Sequence, residues 1–500
     1  MESKEHAANG TRGAKALRLR EEGVLCWRFL AVFSLAGCIA IEVLYNILPI
    51  DHDTLLLYWF YPVSLLTLSQ LYVGLRYAKK REIRFLLAYF AWMCVCVVLN
   101  YGRAHLLESY TWFAATCAAL FLCYSLPYAF DKDTAGHVLT VLAITTVLSA
   151  SLLCAVSLIA IYAPAIAEKA PSVFEGIGFW DGRLSIDIHP NRSSPPLAAA
   201  IVLAGYLIAR AKRPWQRVLW VLCALICYIP LSLTVSRTAI IAAGLAVGFE
   251  VFLALRVRLR AMTKTLQRTL LCAAAGCVAL VLLYKGAELV GQANNAYFAR
   301  VEAAAQQEAA VQVAETAPQA TEAEEAAAQP EAAAAPETQV ADRGLTGVDS
   351  FSGRTDIWLG VWNGLKENPR ILLFGTGPAV AGNVMAPYFP EGSPVGLFHN
   401  SLMGALVSFG VVGLLLAAVF LVFTAVFAWR LSFGQMDDAE SLAVRMLPAM
   451  LLFTLAEAMM EDFLFASLSL NIVLIWFMIA AGFAARLAKR EPSVDAERAA

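Results

Sequence analysis

Long apolar runs alternate with short polar breaks along nearly the whole chain. A helix crossing the hydrocarbon core of a bilayer needs about 20 mostly apolar residues. Runs of that kind fall at roughly 25–50, 55–75, 84–100, 110–130, 137–164, 197–210, 216–235, 238–256, 269–286, 400–429, 443–460 and 464–486. The pattern predicts an all-α integral membrane protein of about 12 transmembrane helices. Helices 1–9 occupy 25–286 and helices 10–12 occupy 400–486, with tails at 1–24 and 487–500. A large polar loop, 287–399, separates the two groups.

That loop is not uniform. Residues 301–340 are rich in Ala, Glu and Gln, hold three prolines, and lack aromatics, Lys and Arg. Such a stretch cannot bury a core, so it is expected to be disordered or transiently helical, with no chemical role. Between Gly353 and Pro369, by contrast, Ile357, Trp358, Trp362 and Leu365 recur at helical spacing. This predicts a short amphipathic helix packed on the membrane-embedded body.

Composition agrees with the pattern. Hydrophobic residues make up 59% of the 500-residue chain and charged residues 15%, where soluble domains are nearer one quarter charged. The formal net charge of -1 implies no polyanionic partner, and no nucleic acid. The placement of the charges says more. Basic clusters lie at Arg76–Arg84, Arg210–Arg217 and Arg256–Arg268, and the polar N-terminus and the Arg486–Arg490 tail are basic as well. An even number of spans puts all of these on one side, which the positive-inside rule makes the cytoplasm. Both termini are therefore expected in the cytoplasm, and the 287–399 loop outside. The first apolar run is too long for a signal-peptide core and reads as a retained helix.

Few groups on the predicted outer side are chemically capable. All 11 cysteines lie in apolar stretches and no Cys/His cluster has zinc-ligand spacing, so they read as packing residues, with neither a disulfide framework nor a metal site. The acids Asp181, Asp187, Asp356, Glu461 and Asp462 form no cation-binding signature. Phe398-His399-Asn400-Ser401 opens a helix that runs through Gly410 and Gly413. A helix N-terminus favours the neutral imidazole, the form that acts as a general base, although a histidine there also serves as a cap or interfacial anchor. Arg237 follows Ser232-Leu233-Thr234-Val235-Ser236, where one helix ends and another begins, and Arg354 starts the amphipathic helix with Asp356 close by. Arg192 precedes a span and Arg103 ends one; Arg183 and Arg370 are also on this side. One arginine at such a place reads as an interfacial anchor. Several at the ends of separate helices, beside one histidine, read as a phosphate-binding cavity, because the guanidinium fork matches phosphate and keeps its charge.

These residues resemble the O-antigen ligase superfamily, polytopic bacterial transferases of lipid-linked glycans, and most of all its ligases. His399-Asn400, nine further residues, Gly410 and then Gly413 fit that family's H-[NSQ]-x9-G-x-x-[GTY] pattern without a gap. Ser236-Arg237-Thr238-Ala239, Gly353-Arg354-Thr355-Asp356-Ile357-Trp358 and Phe374-Gly375-Thr376-Gly377 are similar to further family segments, while the 301–340 insert departs from them. The resemblance implies a GT-C-type fold and a metal-free glycosyltransferase without a cofactor. The implied donor is an undecaprenyl-diphosphate-linked O-antigen, and the implied acceptor is a sugar hydroxyl of lipid A–core. It implies His399 as the catalytic base and Arg237 and Arg354 as diphosphate ligands, with Arg192 and Arg103 in support. O-antigen polymerases and protein O-oligosaccharyltransferases share this pattern. A polysaccharide transporter is a further alternative, but neither an internal repeat nor charges near the bilayer midplane point to one.

Overall fold

The computed structural model describes most of residues 29–48, then 81–100, 132–316 apart from 175, 181 and 187–189, 352–390 apart from 378 and 379, 398–433 and 448–460. The spans expected at 55–75, 110–130 and 464–486 lie outside the described residues. Among the described residues six helices are long and apolar enough to cross a membrane: Gly136–Tyr162, Ser193–Arg210, Pro214–Leu233, Arg237–Ala261, Thr265–Ala309 and Ser401–Arg430. Shorter apolar helices cover Val32–Ile41, Leu87–Leu99 and Pro448–Ala458. Their outward faces carry large apolar side chains such as Leu282, Leu415 and Val422, each more than half exposed. Such surfaces suit a lipid solvent. The chain is an all-α integral membrane protein, with one small hairpin among the described residues.

Two compact units form. The first takes in Met1–Tyr45, Ile50–Ser149 and Ser350–Ala500, and the second Asn46–Pro49 and Ala150–Asp349. Helices are numbered along the described chain: α1 (Arg81–Leu99), α2 (Lys132–Tyr162), α3 (Pro164–Ala167) and α4 (Pro171–Phe174), then α5 (Pro190–Arg210), α6 (Pro214–Leu233), α7 (Arg237–Arg258) and α8 (Thr265–Thr316). They continue as α9 (Ser352–Glu367), α10 (Pro369–Phe374), α11 (Ala381–Met385), α12 (Ser401–Phe433) and α13 (Pro448–Ala458). Strands β1 (Gly178–Trp180) and β2 (Arg183–Ser185) pair antiparallel between α4 and α5. Their two-residue connection is Asp181-Gly182, and Gly182 has φ 64°, the left-handed geometry that a tight hairpin turn requires.

In the second unit, prolines start the helices where no backbone donor is missed. Pro190 opens α5 and Pro214 opens α6. Pro195 and Pro196 lie inside α5, and the Ser194 hydroxyl donates to the Asn191 carbonyl, which Pro195 has no N–H to reach. Helices α7 and α8 pack through glycine. A Cβ on Gly248 would stand 2.6 Å from the Gly276 carbonyl, and one on Gly276 would stand 2.6 Å from the Gly248 carbonyl. Small residues let spans approach this closely where no hydrophobic effect drives them together.

Helix α8 differs from the expected 269–286 span. It continues without a break for 52 residues, into what the hydropathy pattern assigns to the outer loop. At 1.5 Å per residue that is about 78 Å, far more than the ~30 Å hydrocarbon core. The reason is local: from Gln292 to Ala317 there is neither Gly nor Pro, and the Ala/Glu/Gln composition favours helix even when fully solvated. Residues 301–309 are accordingly helical and exposed.

In the first unit, α9 lies across the start of α12. Its inner face, Val361 and Leu365, joins Ile371, Ala381, Met385, Phe398, Leu406 and Val407 in one buried cluster. Gly364 of α9 admits the Met385 thioether, since a Cβ there would meet its sulfur at 2.8 Å.

Candidate functional site

The centre of the first unit is a break in α12. Gly410 sits inside this helix with φ 68° and ψ -174°, a conformation reserved for glycine. The break leaves the carbonyls before it without their helical donors, and three are taken up from elsewhere. Thr376 N donates to Val407 O at 2.9 Å, Gly377 N to Ser408 O at 2.9 Å, and the Trp92 indole of α1 to Phe409 O at 2.7 Å. Asn100, at the end of α1, gives its amide to the Gly375 carbonyl at 3.2 Å. The approach leaves no room for a side chain: a Cβ on Gly410 would collide with the Leu373 carbonyl, and one on Gly375 with the Ser408 carbonyl. The Phe374-Gly375-Thr376-Gly377 segment and Gly410 are therefore two halves of one structure.

His399 stands at the start of α12, half-buried, with φ 49°. A left-handed backbone at a histidine is uncommon and persists where the neighbours enforce it. Both neighbours are fixed. On one side, the Trp358 indole of α9 donates to the Phe398 carbonyl at 2.9 Å. On the other, Asn400 is the N-cap of α12, its side-chain oxygen accepting from Leu402 N at 2.9 Å and Met403 N at 3.1 Å. The Asn400 amide donates to the Met459 carbonyl beyond α13 at 3.1 Å. Arg354 lies one turn before Trp358 on α9 and is half-buried. The structure thus brings Arg354 and His399 into one unit, joined through the Trp358–Phe398 bond.

Arg237 and Arg192 belong to the second unit. Arg237 is the first residue of α7 and half-buried, following Val235, whose φ of 51° makes the turn from α6. Arg192 lies in the first turn of α5. Its side chain, and all of Arg103, lie outside the described residues. Arg183 of β2 ties these ends together: its Nε donates to Thr234 O at 3.0 Å and its guanidinium also donates to the Asn191 side-chain oxygen. The N-termini of α5 and α7 therefore sit at the same end of this unit.

Two other arginines act on backbone. Arg183 holds the α6–α7 turn, and Arg370 donates to the Leu99 carbonyl at the end of α1 at 2.8 Å. Trp358 and Asn400 stand in the motifs that the sequence offers, but only the structure shows that they hold the two neighbours of His399 in place. Their signals were present, a tryptophan one turn after Arg354 and an asparagine immediately before a helix. Among the described residues no group of His, Cys, Asp and Glu has the geometry to hold a metal ion.

A polytopic α-helical membrane protein, with a strained histidine ahead of a capped and glycine-broken span, is the class these features define. Residues 222–418 match the family model described as O-antigen ligase, and this match supports membership of the O-antigen ligase superfamily of glycosyltransferases. It takes in Arg237, Arg354, Gly375, His399 and Gly410, and leaves out Arg103 and Arg192. No curated protein matches the chain.

Proposed function

We propose that the protein is an O-antigen ligase: it transfers O-antigen polysaccharide from undecaprenyl diphosphate to a sugar hydroxyl of lipid A–core. The observation that carries this reading is the staging of His399: the Phe398 carbonyl accepts from Trp358 of α9, and the Asn400 amide donates to the Met459 carbonyl just past α13. The imidazole aligns the acceptor hydroxyl and takes its proton as the oxygen attacks the anomeric carbon. The sugar–phosphate bond breaks in the same displacement, so the anomeric centre inverts. Arg237 and Arg354, supported by Arg192 and Arg103, bind the departing diphosphate and neutralise its growing charge, the task a metal ion performs in other transferases. The transfer takes place on the periplasmic face of the inner membrane, with both termini in the cytoplasm.

The test is transfer by purified protein in detergent with lipid-linked O-antigen and lipid A–core. His399→Ala is expected to lower the rate by a factor of about 10² or more, the usual worth of a general base. Arg354→Lys is expected to retain less than one tenth of the rate, because an ammonium lacks the bidentate fork. Wild-type transfer by a His399→Ala variant of normal monodispersity overturns the base assignment. Lipopolysaccharide of a deletion strain separates ligase from polymerase: loss of the ligase accumulates long lipid-linked polymer, whereas loss of a polymerase leaves single repeat units on the core.

A further inference from the structure

Helix α9 also has a second, exposed face that is partly apolar. Thr355, Leu359, Trp362 and Lys366 recur at helical spacing along one exposed stripe, separate from the buried Ile357, Val361 and Leu365. Leu359 is 58% exposed and Trp362 47%. The Lys366 ammonium stands 5.5 Å from the centre of the Trp362 ring, so cation and aromatic share this face. The acids of the helix, Asp356 and Glu367, fall together on a different flank. Exposed Leu373 and Phe374 continue the apolar surface along α10.

The height of this stripe in the membrane follows from its anchors. Arg370 binds the carbonyl of Leu99, the last residue of an apolar helix. Thr376 and Gly377, just past α10, bind carbonyls about two turns inside the Ser401–Arg430 span. Helices α9 and α10 thus lie where one apolar helix ends and another begins, at a boundary between bilayer and water. A leucine, a tryptophan and a lysine on one face of a helix at that height have the chemistry of an interfacial anchor: the ring and the aliphatic chain sit at the acyl boundary, and the lysine reaches up to phosphate.

We propose that the Thr355–Leu359–Trp362–Lys366 face of α9 is a lipid-docking surface, seated on the phosphate headgroups of the adjoining leaflet, with Lys366 pairing an anionic lipid phosphate. The bilayer then supports α9 along the flank next to Trp358, which lies one turn before Trp362. The inference concerns a surface and does not depend on the transfer reaction.

The experiment places a bimane label at Leu359→Cys in the full chain in nanodiscs, with the native chain labelled in parallel to supply the background from its own cysteines. Acyl chains brominated near the headgroup are expected to quench the label, while aqueous iodide is not. Half-quenching is expected at about a fivefold lower mole fraction of brominated phosphatidylglycerol than of brominated phosphatidylcholine, the preference one lysine near an anionic surface provides. Lys366→Glu is expected to erase that preference and Lys366→Arg to keep it. Quenching by iodide alone leaves the face to water or to a soluble partner and overturns the proposal. So do equal half-quenching fractions for the two headgroups, or a preference that survives Lys366→Glu.

Discussion

A non-glycine residue in the left-handed region costs on the order of 1 kcal/mol, and His399 carries that cost at φ 49°. Glycine at 399 would relieve the strain while removing the imidazole. His399→Gly is therefore expected to unfold at a higher temperature than His399→Ala, with neither variant active; thermal unfolding of the two purified proteins checks the order. The bond from Trp358 is the other half of this local arrangement. Trp358→Phe keeps most of the ring's packing and loses only the donor to Phe398 O, a net loss of about 1 kcal/mol. Transfer is expected to fall roughly three- to tenfold, in line with that energy, with expression unchanged. Asn400 separates its two tasks in the same way. Asn400→Asp keeps the cap on Leu402 and Met403 and loses the donor to Met459, so it is expected to be milder than Asn400→Ala, which loses both.

At the scale of elements, the break in α12 makes the first unit hold together. Backbone irregularity at membrane depth is tolerated only where other protein groups satisfy it. Here the donors come from Thr376, Gly377 and Trp92, three positions on two other segments. Alanine at 410 meets both a forbidden φ and the Leu373 carbonyl, and alanine at 375 meets the Ser408 carbonyl. Gly410→Ala and Gly375→Ala are each expected to abolish the monodisperse peak of detergent-solubilised protein in size-exclusion chromatography. Gly413, part of the same motif, is not in the left-handed region, but a Cβ there would stand 2.2 Å from the Phe409 Cβ, so it makes room for a side chain and does not break the helix. The motif's two glycines thus do different things. In the second unit, Gly248→Leu is expected to separate α7 from α8 and to lower the unfolding temperature, because the two backbones meet at the Gly248–Gly276 crossing.

For the molecule as a whole, the charge pattern makes a topological prediction. Fluorescent-protein fusions after Arg260 and after Arg490 are expected to fluoresce, as they do in the cytoplasm, and alkaline phosphatase inserted near Pro330 is expected to be active, as it is outside. The opposite result at either fusion reverses the orientation and removes His399 from the side where a periplasmic acceptor is met. Deleting 317–340 is expected to leave transfer intact, since that composition offers neither a core nor a reactive group.

Much of this was legible in the chain because it rests on short-range physics. Hydropathy over twenty residues is a property of one segment, and it located the long apolar helices that the structure describes. Asn400 caps a helix through its own neighbours, so the start of α12 could be read from Phe398-His399-Asn400-Ser401 alone. The end of α8 was misplaced because hydropathy reports lipid solubility, whereas a helix stops where caps, glycine or proline stop it, and from Gln292 to Thr316 α8 meets neither glycine nor proline. Tertiary structure alone decided the rest. That Gly410 is a break rather than a packing glycine depends on Gly375, which faces it from another segment. That Trp358 positions His399 depends on an indole reaching a carbonyl 40 residues away in the chain. The sequence by itself determined which residues stand at helix ends. The left-handed turn at His399 and the three carbonyls of the broken span needed partners from distant segments, and only folding brings those together.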